Sequence, residues 1–164
     1  MQSGKKFQIA PYRLSSDKLS IYNYLIGYIC PMTQDEAAQS KIGSFRISRI
    51  ASVQPVRTMR VELSEQQRER LEDEISRKGA PFLVEEASEI VIKLSEEGVR
   101  KYHAQLHLRP RYLEKRDGDR YVFHCTERQA EYYFQKFGRD AEVISPAHLR
   151  ERFIHFYSDA LEMY

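Results

Sequence analysis

The sequence predicts an α+β chain. A small barrel or half-barrel of short strands comes first, then a ferredoxin-like sandwich in the order β-α-β-β-α-β with a C-terminal helix. Three observations carry this reading. Residues 1–60 hold several short β-branched and aromatic runs parted by polar turns, the pattern of a small all-β unit. Two capping boxes, Ser64-Glu65-Gln66-Gln67 and Thr126-Glu127-Arg128-Gln129, announce helices. Asp117-Gly118 stands between two strand-like runs and is a strong short-range hairpin signal. The expected division is a barrel over residues 1–60, a helical connector over 61–88 and the sandwich over 89–164.

Taken in order, Phe7-Gln8-Ile9 alternates and leads into Pro11, which suits an edge strand. Ser15-Ser16-Asp17-Lys18 is a polar turn into a strand over 19–29. Residues 31–43 have no strong period and read as an exposed loop, with a short helical turn at Asp35-Glu36-Ala37-Ala38. Phe45-Arg46-Ile47-Ser48-Arg49-Ile50 alternates as a strand, and residues 51–56 return as another, ended by Pro55. The serine-led box opens a helix to about Arg77 with only Leu71 and Ile75 at regular apolar positions, so it packs lightly. Lys78-Gly79 and Pro81 end it.

From Glu89 the pattern tightens. Ile90 to Leu94 is a buried-type strand, and Ser95-Glu96-Glu97 opens a helix with Val99, Tyr102, His103 and Leu106 on one face. Residues 111–125 form the hairpin. The threonine-led helix places Ala130, Tyr133, Phe134 and Phe137 together and stops at Gly138. A strand over 141–144 follows. Pro146 opens a final helix expected to bury Leu149, Phe153, Phe156, Tyr157 and Ala160.

Of the 164 residues, 41% are hydrophobic and 30% charged, the balance of a soluble globular chain. No apolar run is long enough to span a bilayer, and residues 1–6 do not introduce a secretory h-region. Two cysteines, Cys30 and Cys125, make no disulfide framework, and free thiols in a reducing cytoplasm are the simpler reading. A net charge of +2 does not argue for nucleic-acid binding, so any such claim rests on local clusters.

Catalytic chemistry finds little support. His103 and His107 have metal-ligand spacing, but no carboxylate or cysteine joins them, and His103 falls on an apolar stripe as a core histidine would. His124 and Cys125 are strand neighbours and point to opposite faces, so they cannot exchange a proton. There is no Gly-rich phosphate loop, nucleophile elbow or acidic metal cluster, and no cofactor is expected. The chain is not expected to be an enzyme.

Anion recognition has better support. Arg46 and Arg49 lie in one strand, and guanidinium is rarely buried without a partner. Tyr24 on the preceding strand adds a ring and a hydroxyl. A tyrosine beside an arginine is the minimum kit for a nucleotide base and its phosphate, while an internal Tyr–Arg stack explains the same residues without a ligand. Tyr12 and Arg13 are neighbouring candidates. A second basic set, Arg109, Arg111, Lys115, Arg116 and Arg120, is interleaved with Tyr112 and Tyr121. Single-strand binding and plain edge protection both account for it.

Ala10-Pro11-Tyr12-Arg13-Leu14, Tyr24-Leu25 and Phe45-Arg46-Ile47-Ser48-Arg49-Ile50, in that order, resemble the WYL domain of bacterial transcriptional regulators. Asn23 stands where that family has its tryptophan. Residues 137–150, from Phe137-Gly138 through Glu142-Val143 to Leu149-Arg150, resemble the family's C-terminal extension. The resemblance implies an SH3- or Sm-like barrel, and a positively charged pocket in which Tyr24, Arg46 and Arg49 bind a nucleotide, oligonucleotide or single-stranded nucleic acid. It also implies a homodimer, with Arg150 directed toward a ligand or partner subunit. The expected function is a ligand-sensing regulatory module. The alternative is a non-catalytic interaction module, such as an accessory subunit of a phage-defence system.

Overall fold

The computed structural model describes residues 5–17, 21–30, 41–56 and 62–164. The chain divides into two units, Met1–Val84 and Glu85–Tyr164.

The first unit holds an antiparallel sheet in the order β1-β2-β3, with β1 at Gln8–Asp17, β2 at Tyr22–Cys30 and β3 at Lys41–Arg46. Ala10, Ile26 and Tyr28 fill one face. Helix α1 (Glu65–Lys78) covers it with Leu71, fully buried, and Ile75. The helix read as a lightly packed connector therefore completes this unit's core. Its Ser64 box forms as expected: Ser64 Oγ accepts from Gln67 N–H, and the Gln67 side chain accepts from Ser64 N–H.

The sheet does not close, so the described residues form no SH3- or Sm-like barrel. The ladder between β2 and β3 ends at Tyr24 and Arg46. Beyond it, Ile47–Arg49 coils into a 3-10 turn closed by Ile50 N–H to the Ile47 carbonyl. Residues 51–56, expected as a further strand, are exposed and irregular. The alternation read through Ile50 therefore stops at Arg46, because an apolar period makes a strand only where a neighbour pairs with it. The helical turn at Asp35–Ala38 lies outside the described residues.

The second unit follows the expected order: β4 (Ser88–Leu94), α2 (Glu96–Ala104), β5 (Arg111–Arg116), β6 (Arg120–Cys125), α3 (Glu127–Phe134), β7 (Ala141–Ser145) and α4 (Ala147–Leu161). All pairings are antiparallel, in the order β5-β6-β4-β7. One face carries Ile90, Ile92, Leu94, Phe123 and Val143, and it shares a core with Tyr102, Tyr133, Phe134, Phe137, Leu149 and Phe153. The hairpin turns at Gly118, whose φ of 69° suits glycine.

Some side chains depart from expectation. His103 is exposed rather than in the core, and Leu106 lies beyond the end of α2 and is also exposed. Phe156 and Ala160 of α4 are exposed, because the helix buries only the stripe of Leu149 and Phe153, with Tyr157 half-buried. Gln129 does not reach back to its cap. Its Nε2 donates to the Leu108 carbonyl at 3.1 Å, although Thr126 Oγ1 does accept from Gln129 N–H. Among the described residues no helix is long and apolar enough to cross a membrane.

Candidate functional site

The candidate site is the corner of the first unit where the β2–β3 ladder ends. Tyr24 and Arg46 are cross-strand partners, so their side chains share the face that α1 covers further along. Tyr22, two residues before Tyr24, falls on the same face. The Arg46 guanidinium lies over the Tyr22 ring, with Cζ 3.9 Å from the centroid. That is a close cation–π contact. Its Nε is buried and has no hydrogen-bond partner among the described residues. Buried guanidinium nitrogens ordinarily find an acceptor, and an unmade bond there is costly. Asp17, also buried, stands opposite Tyr22 on β1. The corner thus combines two phenol rings, a guanidinium and a carboxylate.

The other first-unit candidates are placed differently. A β-bulge between Pro11 and Arg13 turns Tyr12 and Arg13 toward α1. There Arg13 Nη1 lies 2.9 Å from Glu72 Oε1, and the Tyr12 hydroxyl donates to the same oxygen. That bond, with the carboxylate's charge beside it, raises the Tyr12 phenol above its ordinary range. Both side chains therefore hold α1 to the sheet. Arg49 lies exposed in the 3-10 turn rather than on the strand, and no carboxylate pairs with it among the described residues. Asn23 accepts from Ser16 Oγ at 2.7 Å on the opposite face from Tyr24. The residue at the tryptophan position of the resembled family therefore does not touch the corner. Tyr22 was missed in the sequence, although its i, i+2 relation to Tyr24 was the available signal.

In the second unit, Arg150 pairs with Glu142 at 2.6 Å. Both lie on a cleft of about 440 Å³ between β7 and α4, which Arg139, Val143, Phe153 and Tyr157 also line. Cys125 is buried in the core, and burial pushes its thiol up to about 12. His124 points to the other face, as strand alternation requires. His107 lies past the end of α2, so the spacing from His103 is not a helical one. Among the described residues no group of three or more His, Cys, Asp and Glu is arranged to hold a metal.

No protein-family model and no curated protein matches the chain. A solved structure described as a CRISPR Cas-related protein matches its fold with a TM-score of 0.71 at 24% identity, over 99% of this chain and 44% of that one. The chain thus spans less than half the length of that structure.

Proposed function

We propose that the chain is a non-catalytic sensing module of the WYL type, in which the first unit binds a nucleotide or single-stranded nucleic acid at the Tyr22–Tyr24–Arg46 corner. The observation that carries this is the Arg46 side chain. It is stacked on a ring, with a buried Nε that lacks an acceptor the ligand could supply. A base stacks on the tyrosines, a phosphate or base oxygen accepts from Arg46, and exposed Arg49 adds positive charge. The ferredoxin-like reading of the second unit, supported by its strand order, makes it the candidate relay through which occupancy shifts a homodimer. No bond is made or broken.

Fluorescence anisotropy of labelled single-stranded DNA and RNA at two salt concentrations tests this. Binding is expected to weaken steeply with salt, and Arg46→Ala is expected to lose it. Binding that survives Arg46→Ala unchanged sinks the assignment of the corner.

A second reading is an accessory protein-interaction module of a phage-defence system. It is supported by the fold likeness to a CRISPR Cas-related protein and by exposed Ile154, Phe156 and Leu161 on α4. Salt-insensitive association with a protein partner, in the absence of nucleic-acid binding, would favour it.

A further inference from the structure

We propose that the β5–β6 hairpin of the second unit is itself a contact surface for single-stranded nucleic acid, on residues independent of the Tyr22–Arg46 corner. The cations in and beside this hairpin differ in what they meet. Arg111 and Arg120 face away from the core with no carboxylate partner among the described residues, whereas Arg116 and Lys93 of β4, on the same face, are paired. On the sheet face away from the core, Arg116 pairs with Glu114 at 2.6 Å and with Glu89 at 3.5 Å, and Lys93 pairs with Asp119 at 3.2 Å. On the core side, beyond the helices' cover, the cations lie over rings instead. Lys115 Nζ is 5.3 Å from the Tyr121 centroid, and Arg109 Cζ is 5.2 Å from that of Tyr102. Neither Arg109 nor Lys115 has a carboxylate partner among the described residues. Between them Tyr112 stands 44% exposed, its ring 6.4 Å from Tyr121 and 6.2 Å from Phe123. Cation, ring and cation follow one another along a single edge.

The backbone on either side of Arg109 is also held in place. The Tyr102 hydroxyl donates to the Pro110 carbonyl at 2.9 Å, Gln129 Nε2 to that of Leu108, and the Tyr133 hydroxyl to that of Gln105 at 2.6 Å. Leu108 is kept at a φ of 52°, a conformation a branched residue adopts only where its surroundings impose it. Protection of an edge strand requires charge pointing into solvent, which Arg111 and Arg116 already provide. It requires neither a backbone pinned on both sides of Arg109 by side-chain hydrogen bonds nor a tyrosine left uncovered. A single strand uses both: bases stack on Tyr112, and phosphates pair with Arg109 and Lys115. The fit is to unpaired RNA or DNA.

The test is anisotropy of the full chain with fluorescein-labelled oligouridylate and oligothymidylate, each variant's fold checked by circular dichroism. Tyr112→Ala is expected to weaken binding about 5- to 150-fold, and Tyr112→Phe to keep it. Arg109→Ala and Lys115→Ala are each expected to weaken binding and to flatten the log–log salt slope by about 0.7. Lys93→Ala, already neutralised on the other face, should bind like the parent. The proposal is overturned if the Tyr112, Arg109 and Lys115 variants all bind within twofold of the parent, or if Lys93→Ala loses as much as Lys115→Ala. The two surfaces separate cleanly. Loss only in Arg46→Ala leaves the corner and removes the hairpin, whereas loss only in the hairpin variants does the reverse.

Discussion

The two units fill their cores with different material. In the second, Tyr102, Phe123, Tyr133, Phe134 and Phe137 interlock at centroid separations of 5.0 to 6.0 Å, and the hydroxyls of both buried tyrosines donate to backbone carbonyls. In the first, the core is mostly small and aliphatic, with Ala10, Ile26, Leu71 and Ile75 packed around Tyr28. Next to it the apolar filling gives way to Arg46, with a buried nitrogen unpaired among the described residues. A dense aromatic core leaves no interior position to a charged group. A light core leaves one, at the corner where Arg46 stands.

Truncating the cores should give the largest effects. Phe134→Ala is expected to cost about 3–5 kcal/mol and Leu71→Ala about 2–5 kcal/mol, read from urea unfolding. If Leu71→Ala costs no more than a surface change, the first unit's core is not built around α1.

Glycine substitutions come next. A Cβ on Gly27 would sit 2.1 Å from the Ala10 carbonyl oxygen, and one on Gly98 would sit 2.2 Å from that of Asp140. Backbone must move in both cases, so Gly27→Ala and Gly98→Ala should each destabilise by about 1–3 kcal/mol. Equal losses would mean that the open sheet yields no more readily than the sandwich. A much smaller loss for Gly27→Ala would mark the first unit as the softer one.

The smallest effect is electrostatic and belongs to the second unit. Hydrogen bonds from Lys101 and Ser95, each 2.7 Å, hold the Asp140 carboxyl below its ordinary range. A folded-state value depressed below the unfolded one stabilises at neutral pH, and that contribution disappears as the pH falls through the folded value. Asp140→Asn should therefore be less stable at pH 7 and lose less stability on acidification. An unchanged acid slope in urea titrations would show that the pairing adds nothing.

Much of this fold was legible in the sequence, because its strongest signals are local. Ser64 with Gln67, Thr126 before α3 and Asp117-Gly118 at the hairpin each settle the backbone within four residues. The β-α-β-β-α-β order follows from them. What escaped depends on partners distant in sequence. The strand through Arg46 ends where β2 stops pairing with it, and Gln129 turns to the Leu108 carbonyl rather than to its own cap. The geometry of the candidate corner was legible only in part. Tyr24 and Arg46 do stand side by side, but the ring that Arg46 covers belongs to Tyr22, and Tyr12 and Arg13 are engaged by Glu72, 60 and 59 residues away along the chain.

The chain's two cysteines are free and buried, Cys30 in the first core and Cys125 in the second. Each unit consequently contains its own chemical stopwatch. Alkylation at Cys30 times the opening of one core and alkylation at Cys125 that of the other, with both clocks running in the same tube and read by peptide mass. Because the Cys125 thiol is 1% exposed and burial raises its pKa, its clock is expected to start only when the sandwich opens.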